Sequence, residues 1–197
     1  KQNPLYLIIV RIVDVVVSII GLSVLLLILP IILLFNLIWN KGPLLFHQER
    51  IGRKEAPFKI FKLRTMIVNA EKNGAVFATV NDHRITPFGK LLRKTRIDEF
   101  PQFINVLKGE MSIIGPRPER KVFVDQIANE IPLYHTRHIV KPGLTGWAQI
   151  NYPYGETLED SLMKLEYDLY YIKHRSIFLD INIAVKTFGT ILYMKGQ

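Results

Sequence analysis

VVVSIIGLSVLLLILPIILLFNLI, residues 15–38, contains no charged side chain. As a helix this run would reach about 36 Å, enough to cross a ~30 Å hydrocarbon core. The apolar character extends back to Leu5, interrupted by Arg11 and Asp14, whose spacing would let them pair at an interface. A secretory signal is not expected, because its apolar core would be ~7–15 residues followed by a small-residue cleavage site, whereas Phe35-Asn36-Leu37-Ile38-Trp39 follows here. Pro30 inside the run removes a backbone donor and favours a kink. Lys1 and Arg11 precede the run; Lys41, Arg50, Arg53, Lys54, Lys59, Lys62 and Arg64 follow it. Positive charge marks the cytoplasmic side of a membrane. A helix that bends near Pro30 and returns to the same face satisfies both flanks; an ordinary span and a buried core helix stay open.

The rest of the composition fits a body attached to such a segment. The 197 residues suit one domain with an appendage. Half of them are apolar (49%), which excludes a disordered chain, and the absence of Cys excludes a disulfide scaffold. A net charge of +9 beside a mean hydropathy of +0.17 is too greasy for a basic nucleic-acid binder and too polar for a polytopic membrane protein.

Beyond Trp39 the chain reads as one continuous domain. Lys41-Gly42-Pro43 forms a turn, Leu44-Leu45-Phe46 starts a strand, and Gln48 to Arg53 turns again. In Phe58 to Thr65, Phe61 and Leu63 alternate with Lys62 and Arg64, which predicts a hairpin strand with a partly basic face, solvated or functional. Asn69 to Ile85 reads as loop, and Phe88 to Thr95 as a short basic helix containing Lys90, Arg93 and Lys94.

In Arg96 to Gly109, Phe100, Phe103, Ile104 and Leu107 recur at helical spacing, with Pro101 in the first turn and Gly109 as the stop. Asp98 and Glu99 then lie at the helix N-terminus. Two readings stay open: acids that cap the helix and answer its dipole, or a catalytic pair in which one attacks while the other holds a metal. Glu110 to Ile114 reads as a short strand running into Gly115-Pro116-Arg117-Pro118, whose prolines present a guanidinium suited to bidentate phosphate binding. Lys141 to Asn151 is a Gly-punctuated loop. Leu158 to Lys173 is helical, carrying Glu166 and Asp168, and Ile177 to Tyr193 is an apolar helix suited to an interface.

These segments together resemble the bacterial monotopic phosphoglycosyl transferases, or bacterial sugar transferases. The resemblance rests on Gln48 to Gly52, Phe58 to Met66, Asp98 to Ser112, Gly115 to Pro118 and Pro142 to Gln149, in order over essentially the whole chain, behind an apolar segment broken at a proline. It implies an α+β, membrane-associated fold, mainly helical with a small β-hairpin and interfacial amphipathic helices. Residues 1–40 would be a re-entrant membrane helix broken at Pro30, and residues 41–197 a catalytic domain on the cytoplasmic face of the bacterial inner membrane. The implied reaction moves a sugar-1-phosphate from a UDP-sugar to a polyprenyl phosphate such as undecaprenyl phosphate, releasing UMP and initiating exopolysaccharide or other glycoconjugate synthesis. By motif match, Asp98 would be the nucleophile forming a phosphosugar-aspartyl intermediate, and Glu99 would hold Mg²⁺. Lys62, Arg93 and Arg117 would face phosphate groups, and Asp168 would be a further acidic active-site position. The implied partners are the UDP-sugar, the polyprenyl phosphate and the lipid bilayer, with a homodimer compatible with the family and no nucleic acid. The chain opens on Lys1 rather than Met, and some family members carry additional membrane helices and a further domain on that side.

Two other classes make distinct expectations. A membrane-bound UDP-sugar glycosyltransferase would release UDP, and a non-enzymatic scaffold on anionic lipid would tolerate Asp98→Asn. Histidine-based metal chemistry is not expected: His135 and His138 are three apart without Cys or an HExxH pattern, and His47, His83 and His174 stand alone.

Overall fold

The computed structural model describes residues 3–72, 74, 82–153, 155 and 157–192. Helix α1 (Pro4–Trp39) starts where Asn3 accepts the Leu5 N–H at 3.0 Å and Pro4 takes the first turn, in which an N–H would be unpaired anyway. It stays helical through Pro30, which lies on its exposed side. Strands β1 (Leu45–Ile51) and β2 (Pro57–Leu63) pair antiparallel, with Gln48 opposite Ile60. The turn falls later than the sequence suggested, at a 3₁₀ turn over Arg53–Glu55. Gln48 to Ile51 continue as strand because they pair with Ile60 to Pro57 of β2, and the Ile51 N–H donates on to the Glu119 carbonyl at 2.9 Å.

Thr86 caps α2 (Pro87–Lys94) by accepting from the Gly89 N–H, so the helix opens one residue before the expected start. A 3₁₀ segment, Ile97–Gln102, runs into α3 (Phe103–Lys108). Strand β3 (Ser112–Ile114) is followed by α4 (Lys121–Glu130) and a 3₁₀ segment, Tyr134–Ile139. Strand β4 (Gly143–Thr145), where loop was expected, pairs parallel with β3. Then come α5 (Trp147–Asn151), α6 (Leu158–His174), opened by a Thr157–Asp160 capping box, and α7 (Ile177–Leu192). Tyr193 and much of the expected Asn69–Ile85 loop lie outside the described residues, though Ile85 bridges Met66.

The β3–β4 crossing joins two motifs that the sequence separates. Gly115 N–H donates to the Thr145 carbonyl and Gly143 N–H to the Pro116 carbonyl, each at 2.9 Å. A Cβ on either glycine would overlap the backbone of the opposing segment. Gly-Pro-Arg-Pro and Pro-Gly-Leu-Thr-Gly are thus two sides of one backbone contact, close enough to exclude any side chain.

Helix α1 is inverted relative to a soluble surface helix. Its inward stripe holds Tyr6, Asp14, Ser18, Gly21, Ile32 and Asn36, while Leu26, Leu27, Ile31, Leu34 and Leu37 are exposed. The body meets it from end to end. Tyr6 Oη donates to Asp180 at 2.7 Å; Arg11 donates to the Val106 and Leu107 carbonyls, both at 2.7 Å; Asp14 accepts from Ser112 Oγ and the Ile113 N–H. The expected Arg11–Asp14 pair therefore does not form. Arg11 instead answers the negative end of α3, and Asp14 satisfies the start of β3. Further along, a Cβ at Gly21 would overlap the Phe103 ring, so this glycine admits α3 against α1. Ile32 packs with Leu63, Phe88 and Leu92. Beyond the helix end, Asn40 donates to the Arg64 carbonyl and accepts from the Arg64 guanidinium.

Arg64 is thus buried and structural rather than part of a basic surface. The buried face of β2 carries Phe58 and Ile60, packed with Val106 and Met111, and by strand parity it carries Lys62 as well. A third cluster, Ile51, Val124, Ile131, Tyr134 and Leu165, closes the far side of the domain.

Candidate active site

The two adjacent acids sit where β2, the 3₁₀ segment and the Gly-Pro-Arg-Pro loop converge. Arg96 occupies the cap position in the left-handed region (φ 58°), which turns the chain from α2 into the 3₁₀ segment without a side-chain cap. The capping reading of Asp98 therefore falls away. On a 3₁₀ helix successive side chains diverge by about 120°, so the acids face different neighbours. Both are buried, at 7% exposure.

Glu99 is enclosed by cations. Its Oε1 accepts from Lys62 Nζ at 2.9 Å and from Arg117 at 3.0 Å, and its Oε2 lies 3.8 Å from Arg96. Burial alone would raise its pKa, but Lys62, Arg117 and Arg96 outweigh it and hold the carboxyl well below the usual range. Asp98 differs. Its Oδ1 is buried with no hydrogen-bond partner. Burial first, and the Glu99 charge second, push this carboxyl up to about 6, against Lys62, Arg93 and Arg96. One acid is thus permanently ionised and held, while its neighbour keeps an uncommitted oxygen among positive charges. That division of labour suits a nucleophile beside a phosphate-binding group.

The expected site residues separate into two layers. Lys62 and Arg117 touch Glu99 directly, and Arg93, whose Nε donates to Thr65 Oγ1 at 2.9 Å, acts on Asp98 through its charge. Asp168 lies one layer back: its Oδ2 accepts two bonds from Arg137, at 2.7 and 3.1 Å. Arg137 also takes the Tyr134 hydroxyl and the Arg117 carbonyl, each at 2.9 Å. Asp168 therefore bears on the acids through Arg137 and the Arg117 backbone.

Sequence reading passed over Arg96 and Arg137, and gave Gln102 and Asn105, both in the Asp98 to Ser112 motif, no role. Asn105, fully buried, accepts the Phe61 N–H and donates to the Lys59 carbonyl and Glu110, so it serves the free edge of β2 and sets that strand's distance from α3. Its signal was its place in the Asp98 to Ser112 motif, off the face set by Phe100, Phe103, Ile104 and Leu107. Gln102, at the end of the 3₁₀ segment, is buried with its amide nitrogen unpartnered. Of the two carboxylates only Asp98 keeps an orphaned oxygen of the kind a hard ion such as Mg²⁺ takes, while Glu99, the expected ligand, would have to exchange Lys62 or Arg117 for the ion.

The sequence profile described as bacterial sugar transferase matches residues 5–194. The chain is 46% identical over 193 residues to a UDP-N-acetylgalactosamine-undecaprenyl-phosphate N-acetylgalactosaminephosphotransferase of Aeromonas hydrophila, covering 96% of this chain and 45% of that protein. It is 43% identical over 190 residues to a UDP-glucose:undecaprenyl-phosphate glucose-1-phosphate transferase of Klebsiella pneumoniae, covering 94% and 40%. A shorter relative, a putative undecaprenyl-phosphate N-acetylgalactosaminyl 1-phosphate transferase of Bacillus subtilis (strain 168), is 47% identical over 140 residues, covering 70% of this chain and 76% of its own length. The chain spans less than half the length of the first two. With the profile matched almost from end to end around the paired acids, the chain belongs to the bacterial sugar transferase family.

Proposed function

We propose that the chain transfers a sugar-1-phosphate from a UDP-sugar to a polyprenyl phosphate, with Asp98 as a covalent nucleophile. The observation that carries this reading is the contrast within the acidic pair: Asp98 keeps a buried, unpartnered oxygen while Glu99 is committed to Lys62 and Arg117. An Asp98 oxygen attacks the sugar-proximal phosphorus, the bond from that phosphorus to the UMP oxygen breaks, and UMP departs. A phosphate oxygen of the polyprenyl phosphate then attacks the same phosphorus and releases the Asp98 carboxylate. Lys62 and Arg117 hold the diphosphate oxygens and Arg93 adds positive charge. Mg²⁺ bound by Glu99 would supply further neutralisation of that charge.

The relatives' names differ in the sugar, so the decisive assay offers UDP-glucose, UDP-galactose and UDP-N-acetylgalactosamine with undecaprenyl phosphate and identifies the nucleotide released. UMP supports phosphosugar transfer; UDP would indicate attack on carbon and a glycosyltransferase. Arg117→Lys should not restore function, because an ammonium cannot reproduce the guanidinium fork. A Lys variant of unchanged melting temperature that works within about twofold of wild type, well under the tenfold that ~1.4 kcal/mol represents, would reduce Arg117 to a surface charge.

Membrane attachment belongs to the same proposal. Along α1 the exposed face is apolar, and α7 exposes Phe178, Val185 and Phe188. We read both faces as lipid-contacting, since a contiguous apolar surface of this size is rare on soluble monomers. Although α1 runs unbroken through Pro30, its contacts at Tyr6 and again at Asn40 support both ends lying on the body's side of the membrane, because a span through ~30 Å of lipid would carry one end away from a body lying on one side. Single cysteines at Asn3 and Lys41, both exposed, test this. Neither should react with an impermeant thiol reagent on intact cells, and both should react after permeabilisation. Labelling at position 3 in intact cells would establish a span.

A further inference from the structure

The fold supplies His135 and His138 with a third ligand that the linear sequence hides. The 3₁₀ turn Arg53–Glu55 packs against the 3₁₀ segment Tyr134–Ile139, where Arg53 Nε donates to the Ile139 carbonyl at 3.2 Å. Glu55 Oε1 lies 2.9 Å from His135 Nδ1, and one ligand atom from each of Glu55, His135 and His138 falls within 4.8 Å of the others. His138 is buried at 7% exposure, and its Nδ1 has no hydrogen-bond partner. A surface Glu–His ion pair would account for two of these side chains. It leaves the buried His138 unexplained, and a metal bond through Nδ1 would satisfy the nitrogen that has no hydrogen-bond partner.

We propose that Glu55, His135 and His138 bind one transition-metal ion of the Zn²⁺ class. Two imidazoles and a carboxylate suit Zn²⁺ or Co²⁺ and not Mg²⁺, which takes oxygen ligands. Bonds of about 2.0–2.1 Å at a tetrahedral ion set ligand atoms about 3.3 Å apart. The exposed Glu55 and His135 can close that distance by side-chain rotation, and the fourth position remains for water. The ion would tie the turn after β1 to the segment that anchors the phosphate-binding loop: Arg137, beside His138, holds the Arg117 carbonyl, and His138 lines a small cavity with Pro116, Arg117 and Pro118. The site shares no residue with the acidic pair and stands whether or not the proposed reaction is correct.

The test is equilibrium titration of the chelator-treated, detergent-solubilised full chain with Zn²⁺, and with Co²⁺ as a visible probe, in excess Mg²⁺. Expected are one ion per chain, Co²⁺ absorption bands typical of four-coordinate nitrogen and oxygen ligation, and a higher melting temperature with Zn²⁺. His135→Ala and Glu55→Gln, both at exposed positions, should each weaken binding at least tenfold without lowering the metal-free melting temperature. Glu99→Gln should leave the Zn²⁺ affinity unchanged. Absence of stoichiometric binding, equal affinity in His135→Ala and wild type, or loss of binding in Glu99→Gln would overturn the assignment.

Discussion

Asp98→Asn is expected to lower turnover by on the order of 10³ or more, about 4 kcal/mol of barrier, because an amide is too poor a nucleophile to form the acyl-phosphate bond to the phosphosugar. Intact-mass analysis of the wild type with UDP-sugar alone should show the adduct, and the variant should not. The same substitution has a stability consequence of the opposite sign. Burial and the Glu99 charge push the native carboxyl up to about 6, above the ~3.9 of an unfolded Asp, so the folded state holds this proton more tightly. Asp98 thus contributes stability below about pH 4 that is lost as pH rises through about 6, and at pH 7.5 the buried charge is a net cost. The Asn variant in divalent-free buffer should melt at or above the wild-type temperature at pH 7.5, with that pH dependence removed. Carboxyl NMR of divalent-free wild type should show Asp98 titrating near pH 6, and a bound cation would shift it lower. An active Asp98→Asn enzyme, or an adduct persisting in it, would remove Asp98 from the chemistry.

Asp168→Ala should produce the largest loss of stability. The Asp168 and Arg137 side chains are 3% and 6% exposed, and removing the acid leaves a guanidinium buried without its counter-charge. Breaking such a pair costs about 3–5 kcal/mol, or roughly 10 °C of melting temperature in a chain of this size. Turnover should fall as well, because Arg137 carries the Arg117 carbonyl. Asp168→Asn, which keeps an acceptor oxygen for Arg137, should recover part of both losses. The double variant Arg137→Met with Asp168→Leu separates the two effects: an apolar pair of similar volume should restore melting temperature while turnover stays low. If Asp168 touches substrate without supporting Arg137, Asp168→Ala will change KM at an unchanged melting temperature.

Several of these residues were legible in the chain, for reasons that are local. The charge-free apolar run over residues 15–38 announces a helix too greasy for water, but the face expected from Phe100, Phe103, Ile104 and Leu107 is displaced: the turn before Phe103 is 3₁₀, and α3 buries Phe103, Asn105 and Val106 while Ile104 is exposed. Pro116 and Pro118 constrain Arg117 whatever the fold, and five ordered motifs identify the family and its paired acids. Asp98, Glu99, Lys62 and Arg117 needed no coordinates to be named as candidates. Their arrangement did.

What tertiary structure decided involves partners far apart in sequence. Arg11 and Asp14 look like a pair at helical spacing, yet they meet backbone ends 95 and 99 residues away, because an orphaned helix terminus or strand start buried beside them gains more from a charge than two solvated neighbours gain from each other. Lys62 and Arg64 look equivalent by parity, but one is drawn to Glu99 and the other to Asn40 beyond the end of α1. Asp168 reads as a site acid and lies one layer behind, holding Arg137, a residue no local pattern marks. The sequence by itself determined which run is lipid-like and where α1, α2, α6 and α7 lie, since those follow from periodicity and residue type within a few turns, whereas α4, α5 and β4 carried no such mark. Which acid keeps a free oxygen, and which cation holds which carboxylate, was decided only by the fold, because burial and long-range pairing set the charge and the hydrogen-bond partners of every group in the site.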